Sequence, residues 1–161
     1  MKNFTLRRHN QRGYGVYTKK PWKKGEKVLV CEGEILPTYM ANVRHSITLN
    51  AHFSYEWKSN AAYDYVNHSC NPNCYIDLSN GMPALIALRD IPSEEEICYN
   101  YNTAALDLCK NWISFPCHCG NENCIGLIKG FMYLTPIQEK EVLSMCIPFI
   151  KEVRAKNRVE T

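Results

Sequence analysis

Three cysteines crowd into one short segment near the end of the chain, and their spacing constrains the fold more than any other feature. They lie in the run Cys117-His118-Cys119-Gly120-Asn121-Glu122-Asn123-Cys124, a Cys-x-Cys-x4-Cys pattern. Thiolates are favoured ligands in closed structural zinc sites, which usually have four ligands. Gly120 tolerates the backbone conformations that a tight wrap around one ion requires. The segment therefore predicts a metal site that takes one further donor from elsewhere.

Spacing alone leaves that further donor open among His118, Cys109, Cys70 and Cys74. The chain has nine cysteines, an odd number, and no apolar signal-peptide core follows its first residues. In a reducing compartment such cysteines are more often metal ligands or buried thiols than halves of disulfides. We therefore expect an intracellular protein that is not secreted by a classical signal. The alternative interpretation is three unligated thiols in a loop.

Length and composition indicate one ordinary globular domain. A chain of 161 residues is about one domain's worth. The hydrophobic fraction of 45% and the charged fraction of 22% are close to globular averages. No apolar run approaches the roughly 20 residues that a membrane-spanning helix needs, so we expect no membrane partner. The formal net charge of +3 is too small to indicate direct binding of nucleic acid.

Short β-leaning runs separated by glycine and proline dominate the body of the chain. Examples are Phe4-Thr5-Leu6, Lys27-Val28-Leu29-Val30-Cys31 and Ile97-Cys98-Tyr99-Asn100-Tyr101. β-Branched and aromatic residues favour strands, and glycine and proline favour turns between them. The pattern predicts a mainly β fold with short helices.

The end of the chain changes to helical signals. Thr135-Pro136-Ile137-Gln138 offers an N-cap threonine, a proline at the first helical position and a capping-box glutamine. Pro148 is expected to kink or interrupt the helix that begins there. The charged stretch from Lys151 to Thr161 is expected to form an exposed final turn or a frayed tail.

Two further motifs carry side chains that could do chemistry. One is the polar run Asn67-His68-Ser69-Cys70-Asn71-Pro72-Asn73-Cys74, which must satisfy its own hydrogen bonds or hold a ligand. Its alternative interpretation is an elaborate turn, which Asn-Pro and serine clusters favour for local reasons. The other is Tyr99-Asn100-Tyr101, where strand alternation places both tyrosines on one face. Tyrosines at such positions are commonly half-buried packing groups with exposed hydroxyls.

In their order along the chain, these motifs resemble a SET-domain protein lysine methyltransferase with a post-SET zinc motif. The resemblance spans roughly residues 5 to 130 and rests on Gly13-Tyr14-Gly15, Gly33-Glu34, Asn67 to Asn73, Glu96 to Tyr101 and the trailing cysteines. It implies a β-clip fold with a pseudoknot, a zinc-stapled post-SET segment and a C-terminal helix. The implied organisation is a SET domain at 1–114, a post-SET zinc segment at 115–130 and a C-terminal helical extension at 131–161.

The resemblance also implies an activity, the transfer of a methyl group from S-adenosylmethionine to the ε-amine of a protein lysine. The family's cofactor contacts are matched here by Gly13, Tyr14, Gly15, Asn67, His68 and Tyr101. Tyr101 matches the catalytic tyrosine. Tyr99, the second catalytic candidate, matches a position where tyrosine accompanies mono- or dimethylation. Free lysine has a pKa near 10.4, so such a site must help it lose a proton, and an apolar aromatic channel does so by desolvation.

The resemblance completes the metal site as well. In the family, the cysteine of the Asn-His run joins the three post-SET thiols, which selects Cys70 with Cys117, Cys119 and Cys124 as ligands of one structural zinc ion. His118 then becomes a bystander, and Cys74 has no family role. We expect removal of this metal to reduce both stability and activity.

Three positions depart from the family pattern. Cys31 stands where many relatives carry a second channel tyrosine, and Glu94 stands where a glycine usually begins the turn before the last strand. Asn100 replaces the acidic residue between the two tyrosines. The Cys31 departure keeps an alternative open, in which the protein is a catalytically silent SET-like interaction module. A zinc module for nucleic acid is a third reading, but basic residues are not concentrated beside the cysteines.

The expected partner is a protein that carries the target lysine, and a histone tail is one candidate. Basic residues cluster early in the chain, where they form either a docking face for an acidic surface or an ordinary solvated face. They are Arg7, Arg8, Arg12, Lys19, Lys20, Lys23 and Lys24. The sequence does not indicate the oligomeric state or decide between nucleus and cytoplasm.

Overall fold

Short strands provide most of the regular structure of the protein. The computed structural model describes residues 2–42, 45–58, 62–111 and 114–157. The strands of this part are β1 (Phe4–His9), β2 (Gly13–Thr18), β3 (Lys27–Val30), β4 (Gly33–Pro37), β5 (Ser46–Thr48), β6 (Phe53–Trp57), β7 (Asn67–His68), β8 (Cys74–Asp77), β9 (Ala84–Ala87), β10 (Cys98–Tyr99), β11 (Phe115–Pro116) and β12 (Leu127–Ile128). The α-helices are α1 (Pro136–Val142) and α2 (Pro148–Asn157). The prediction of a mainly β chain with short helices is confirmed.

These strands form small sheets rather than one large one. Antiparallel pairing joins β1 to β2 and β11 to β12 as two-stranded sheets. The strand orders β3-β9-β8 and β4-β6-β5 form two three-stranded antiparallel sheets. In the described residues, no helix is both long enough and apolar enough to cross a lipid bilayer.

A parallel pair, β7 with β10, holds together segments that lie far apart in sequence. Cys98 stands opposite Asn67, and Tyr99 stands opposite His68. Just beyond the pair, the Ser69 amide donates to the Tyr99 carbonyl at 3.0 Å. The polar run that starts at Asn67 therefore lies beside the strand that leads to Tyr101, as the resemblance implies.

The side chain of Asn73 fastens the end of this polar run. Its amide nitrogen donates to the Glu96 carbonyl at 2.7 Å, and its amide oxygen accepts from the Cys98 amide at 2.9 Å. Asn73 is buried, so these bonds satisfy polar groups that water does not reach. Asn73 is thus engaged by hydrogen bonds to the segment that leads into β10.

The core lies where the sheets and the C-terminal helices meet. Val16 of β2, Leu85 of β9 and Ile97 are each completely buried. Ile147 and Ile150, from the end of the chain, join the same apolar cluster. Removing such side chains from water stabilises the fold by roughly 1.5–3 kcal/mol each. The C-terminal segment is therefore an integral part of the core.

Helix α1 begins as the sequence predicts. The Thr135 side chain accepts from the Gln138 backbone amide, and the Gln138 side chain accepts in return from the Thr135 amide, so the capping box is complete. Pro136 occupies the first turn, and the helix ends at Val142. A short 3-10 turn follows at Leu143–Met145.

Pro148 interrupts the helical segment, but the expectation for the residues after it was wrong in part. Instead of a final turn or frayed tail, Pro148–Asn157 form a second helix, α2. Proline is well tolerated at the start of a helix because the first amides have no intrahelical acceptor. Arg154 also pairs with Glu139 of α1 at 2.6 Å, which ties the two helices together. The end of the predicted tail, residues 158–161, lies outside the described residues.

Candidate functional site

An aromatic cavity of about 330 Å³ lies at the end of the parallel pair. The Tyr99 and Tyr101 rings both line it, with centroids 4.9 Å apart. The sequence places Tyr101 at the end of a strand, but β10 ends at Tyr99 and Tyr101 begins a 3-10 turn at Tyr101–Thr103. Despite this difference, both tyrosine side chains line the same cavity.

The turn at Tyr101 is fixed on several sides. Its hydroxyl donates to the Val66 carbonyl at 2.8 Å, and its backbone amide donates to Nδ1 of His68 at 3.1 Å. Burial raises the pKa of the Tyr101 hydroxyl well above its ordinary value of 10.0, so the group stays neutral at physiological pH. Because the hydroxyl proton points to Val66, the phenol oxygen can offer lone pairs to a neighbouring group.

A second cavity, of about 290 Å³, lies next to the same tyrosine. Its lining includes Arg12, Asn67 and His68. Tyr101 and Phe115 line both this cavity and the aromatic one, and their ring centroids are 6.3 Å apart. These two side chains thus form a wall between the cavities, and a group on one side can approach a group on the other beside the Tyr101 hydroxyl.

Asn67 has a fixed orientation at this second cavity. Its amide nitrogen donates to the Glu96 carboxylate at 2.8 Å and to the Tyr14 carbonyl at 3.1 Å. Because the amide nitrogen already donates two hydrogen bonds, the amide oxygen of Asn67 is the atom that can accept a hydrogen bond from a ligand. A Cβ on Gly15 would clash with the same Glu96 carboxylate, so a larger residue here would force the Glu96 side chain to move.

The other predicted cofactor residues lie less directly at the cavity. Gly13 and Tyr14 start β2, and the half-exposed Tyr14 ring packs against Tyr65 at 6.1 Å between centroids. The cavity lining from this hairpin comes from Gln11 and Arg12. Sequence reasoning grouped Arg12 only with the basic cluster, although its place directly before Gly13 was a signal.

The Glu96 carboxylate contacts three side chains beside the second cavity. It pairs with Arg12 at 3.0 Å and lies 3.3 Å from His9, besides its bond to Asn67. Only 14% of its side chain is exposed, so these contacts replace most of the water that a carboxylate needs. The sequence motif included Glu96, but its contact with Asn67 is visible only in three dimensions.

The four predicted zinc ligands meet at one point. The sulfur atoms of Cys70, Cys117, Cys119 and Cys124 all lie within 4.8 Å of one another, and the Cys70 and Cys117 sulfurs are 3.8 Å apart. Tetrahedral zinc with bonds of about 2.3 Å places its sulfur ligands about 3.8 Å apart. The cluster could therefore hold a zinc ion, and its donor set is the one that structural zinc sites prefer.

His68 connects this cluster to the aromatic cavity. Its Nδ1 accepts from the Tyr101 amide, so the neutral ring carries its proton on Nε2, which lies 3.3 Å from the Cys70 sulfur. Burial lowers the pKa of His68 to about 4, which keeps the ring neutral. The predicted cofactor residue His68 thus also links a predicted zinc ligand to the predicted catalytic tyrosine.

The remaining candidates for the fourth ligand lie outside the four-sulfur cluster. His118 lines the second cavity, and Cys74 is buried in β8, where it stands opposite Ala87. Cys109 belongs to a separate 3-10 turn at Cys109–Asn111. Cys31 is buried near the aromatic cavity, and its carbonyl accepts from the Tyr55 hydroxyl at 2.9 Å.

The sequence analysis did not identify three residues that line the aromatic cavity, Trp57, Tyr63 and Asp64. Tyr63 and Trp57 contribute aromatic rings to it, with centroids 4.8 Å apart. Asp64 accepts from the Trp57 indole at 2.7 Å and lies 3.2 Å from Nδ1 of His45, which places a carboxylate in the lining. The aromatic density just before Asn67 was the available signal.

The chain shares extended sequence similarity with known methyltransferases. It is 33% identical over 135 residues to "Histone-lysine N-methyltransferase NSD3" of Mus musculus, a match that covers 73% of this chain and 9% of the relative. It is 28% identical over 146 residues to "Histone-lysine N-methyltransferase, H3 lysine-36 specific" of Chaetomium globosum, covering 80% and 16%. The chain thus spans only a small part of the length of these relatives.

Solved structures give the same fold. The chain superimposes with a TM-score of 0.63 and 23% identity on a chain described as "crystal structure of KRYPTONITE in complex with mCHG DNA and SAH", covering 78% of this chain and 28% of that one. A second KRYPTONITE structure, with mCHH DNA, an H3(1-15) peptide and SAH, gives a TM-score of 0.60 at 21% identity, covering 76% and 28%. The model of the SET domain family matches residues 13–102, more than half of the sequence. The chain therefore belongs to the SET-domain family.

Proposed function

We propose that this protein transfers a methyl group from S-adenosylmethionine to the ε-amine of a lysine in a protein substrate. The observation that carries the proposal is the wall that Tyr101 and Phe115 form between two cavities. Such a wall lets a donor and an acceptor meet end to end from opposite sides. The names of the relatives, histone-lysine N-methyltransferases, support the same reaction.

The second cavity, which Arg12 and Asn67 line, suits the cofactor. Arg12 would pair with the carboxylate of its amino-acid part, and the Asn67 amide oxygen would accept from its ammonium group. Gly13, Tyr14 and Gly15 would support this side through the backbone contact between Tyr14 and Asn67. When bound there, S-adenosylmethionine supplies an electrophilic methyl group on a positively charged sulfur.

The aromatic cavity suits the lysine side chain. Its phenol and indole rings disfavour a charged amine by desolvation, which acts to lower the lysine pKa against the opposing effect of the Asp64 carboxylate. The Tyr101 oxygen, whose proton is directed to Val66, can hold the methyl hydrogens through weak CH···O contacts. Holding nitrogen, carbon and sulfur in line provides much of the remaining acceleration.

The product is proposed to be mono- or dimethyl-lysine. Tyr99 supports this limit, because its phenol fills space beside Tyr101 that a more highly methylated amine would need. Histone tails are the proposed substrate class, since the relatives are named for histones. An intracellular site of action follows from such a substrate.

We further propose that Cys70, Cys117, Cys119 and Cys124 bind one structural zinc ion. The ion would tie the post-SET segment, 115–130, to the SET domain proposed for residues 1–114. Phe115 opens that segment and lines both cavities, so the metal would stabilise part of the wall. Residues 131–161 would form the C-terminal extension that joins the core.

The proposal is tested by a labelled-methyl assay on histones and whole-cell protein, with cofactor binding measured by calorimetry. We expect Tyr101→Phe to reduce methyl transfer on the order of 100-fold while cofactor binding persists, because one oriented polar contact at the reacting centre is lost. Tyr75→Phe is the matched control, because Tyr75 of β8 lies outside both linings. A wild-type protein that binds no S-adenosylmethionine and methylates nothing would favour the silent interaction module instead.

A further inference from the structure

The hydroxyl of Tyr63 is buried without a hydrogen-bond partner among the described residues. The neighbouring Tyr99 phenol lies close enough to act on the Tyr63 hydroxyl as a hydrogen-bonding group would, but no contact of this hydroxyl within the described residues has hydrogen-bond geometry. A buried polar group left unpaired destabilises a fold. Such a group calls for an explanation, and a ligand that pairs with it on binding is one.

Tyr63 lines the aromatic cavity proposed for the lysine. It lies in the 3-10 turn Ala62–Tyr65, directly before β7, and its ring centroid is 6.2 Å from that of Tyr99. It is 3% exposed, so solvent does not compensate the hydroxyl. The unpaired group therefore belongs to the cavity in which an amine would lie.

We infer that Tyr63 is a specificity-determining residue whose hydroxyl hydrogen-bonds the target amine and, together with Tyr99, favours an amine that carries fewer methyl groups. The inference rests on the proposed function. The bound amine would supply the hydrogen-bond partner that the Tyr63 hydroxyl lacks in the free protein.

The chemistry of the transfer explains the preference. In the step, a nitrogen–carbon bond forms as the sulfur–carbon bond breaks, sulfur leaves as a neutral thioether, and the new ammonium gives one proton to water. A neutral primary amine directs its lone pair at the methyl group and keeps two N–H donors for nearby oxygens. Each added methyl group replaces one N–H of the amine with an N–C bond. A phenol oxygen that accepted a hydrogen bond from that N–H then loses its partner. A site built to pair a substrate N–H discriminates against an analogue that lacks it.

Tyr63 also offsets the departure at Cys31. That thiol is buried in the same core cluster as Tyr63, at the position where the family resemblance implies a channel tyrosine. The two groups are close enough for Cys31 to contribute to the raised pKa of Tyr63, after burial and Tyr99. A phenol supplied from the turn before β7 thus stands in for one supplied by the segment after β3.

The test compares Tyr63→Phe with Tyr55→Phe, a second buried tyrosine whose hydroxyl has a partner, the Cys31 carbonyl. Each variant transfers labelled methyl groups to whole-cell protein, which is hydrolysed so that mass spectrometry gives the ratio of dimethyl- to monomethyl-lysine. We expect Tyr63→Phe to raise this ratio about 10-fold, the effect of one hydrogen bond of typical strength. Tyr55→Phe should leave the ratio unchanged.

Thermal unfolding separates this role from a structural one. Tyr63→Phe should leave Tm unchanged or raise it by about 2–4 °C, because it removes an unpaired buried hydroxyl. Tyr55→Phe should lower Tm, because it leaves the Cys31 carbonyl unpaired. An unchanged product ratio for Tyr63→Phe, or a lowered Tm, overturns the inference. A wild type that forms no methyl-lysine overturns the proposed function itself.

Discussion

Two neighbouring glutamates each orient one asparagine of the polar run. Glu95 accepts from the Asn73 amide at 2.7 Å, and Glu96 accepts from the Asn67 amide at 2.8 Å. Burial acts to raise the pKa of Glu95, but its bonds from Arg89 and Asn73 outweigh this and hold the pKa below its ordinary value. Glu95 thus holds the end of the polar run in place, and Glu96 holds Asn67 at the edge of the proposed cofactor cavity.

Ionisation of the Cys74 thiol is expected to destabilise the folded protein at alkaline pH. Burial raises the pKa of its thiol from 9.0 to about 12. Because the folded pKa lies above the unfolded one, this contribution to stability is complete below pH 9 and is lost as the pH rises towards 12. We expect Cys74→Ala to make the decline of the unfolding free energy less steep by up to about 1.4 kcal/mol per pH unit.

Urea unfolding in the presence of a reductant, repeated from neutral to alkaline pH, measures this effect. The packing lost in Cys74→Ala shifts the whole curve by a constant, so only the difference in slope reports the thiol. Equal slopes for the wild type and the variant above pH 9 would show that the Cys74 thiol ionises as readily in the folded chain as in the unfolded one.

Individual residues were predictable from sequence where a motif fixes their spacing. The meeting of Cys70 with the post-SET cysteines was implied by the family resemblance, and the proximity of Tyr99 and Tyr101 was indicated by their two-residue spacing. Tyr63 was not predictable, because its ring enters the cavity from a 3-10 turn, whose direction depends on the packing of Trp57 and Tyr99 around it.

At the scale of elements, the turn before β10 contains a strained position. Glu94 has a φ of +69°, the left-handed region that favours glycine, and is the one non-glycine residue there in the described part. The turn is held against β2, since the Thr18 carbonyl accepts from the Glu94 amide at 2.6 Å. Glycine adopts this conformation without a steric penalty, whereas the strain of Glu94 costs roughly 1–2 kcal/mol.

We expect Glu94→Gly to raise Tm by about 2 °C, because the relief of strain exceeds the added chain entropy of glycine. The ion pair with Arg7 that is lost lies on the surface and contributes little. Glu94→Ala is the matched control, since it loses the same ion pair and keeps the strained backbone. A glycine variant no more stable than the alanine variant in calorimetry contradicts the expectation.

Element starts were easier to predict than element ends. The capping box at Thr135 depends on neighbours within one turn, so the start of α1 could be identified from four residues. Helix α2 was missed because its stability comes from distant contacts. Ile150 is buried in the core and Arg154 pairs with Glu139, and neither contact shows in local composition.

At the scale of the whole molecule, the cysteine cluster joins segments about 50 residues apart. We expect removal of zinc by a chelator to lower Tm and to abolish most methyl transfer, because His68 connects Cys70 to the Tyr101 amide. Metal analysis with thermal unfolding and the labelled-methyl assay measures all three quantities on one preparation.

The matched variants for this experiment are Cys117→Ser, which removes one of the clustered thiols, and Cys109→Ser, which lies outside the cluster. The first should lose zinc and stability, and the second should keep both. If metal-free protein retained its Tm and full activity, a metal in the cysteine cluster would contribute neither to stability nor to methyl transfer.

The overall topology could be predicted only through the family resemblance. Strand propensity identified runs such as Lys27–Val30, but nothing local indicates that β7 pairs in parallel with β10 or that β3 pairs with β9. These pairings depend on long-range packing, which a single sequence does not reveal. The order of several motifs together carried that information.

The wall between the two cavities has a consequence for biosynthesis. The β1–β2 hairpin can pair soon after Arg12 is synthesised, but Phe115 and Cys124 emerge from the ribosome about a hundred residues later. During that interval the nascent chain carries incomplete cavities with exposed aromatic rings. Because such intermediates are prone to aggregate, we expect chaperones to assist folding until the last parts of the site have been synthesised.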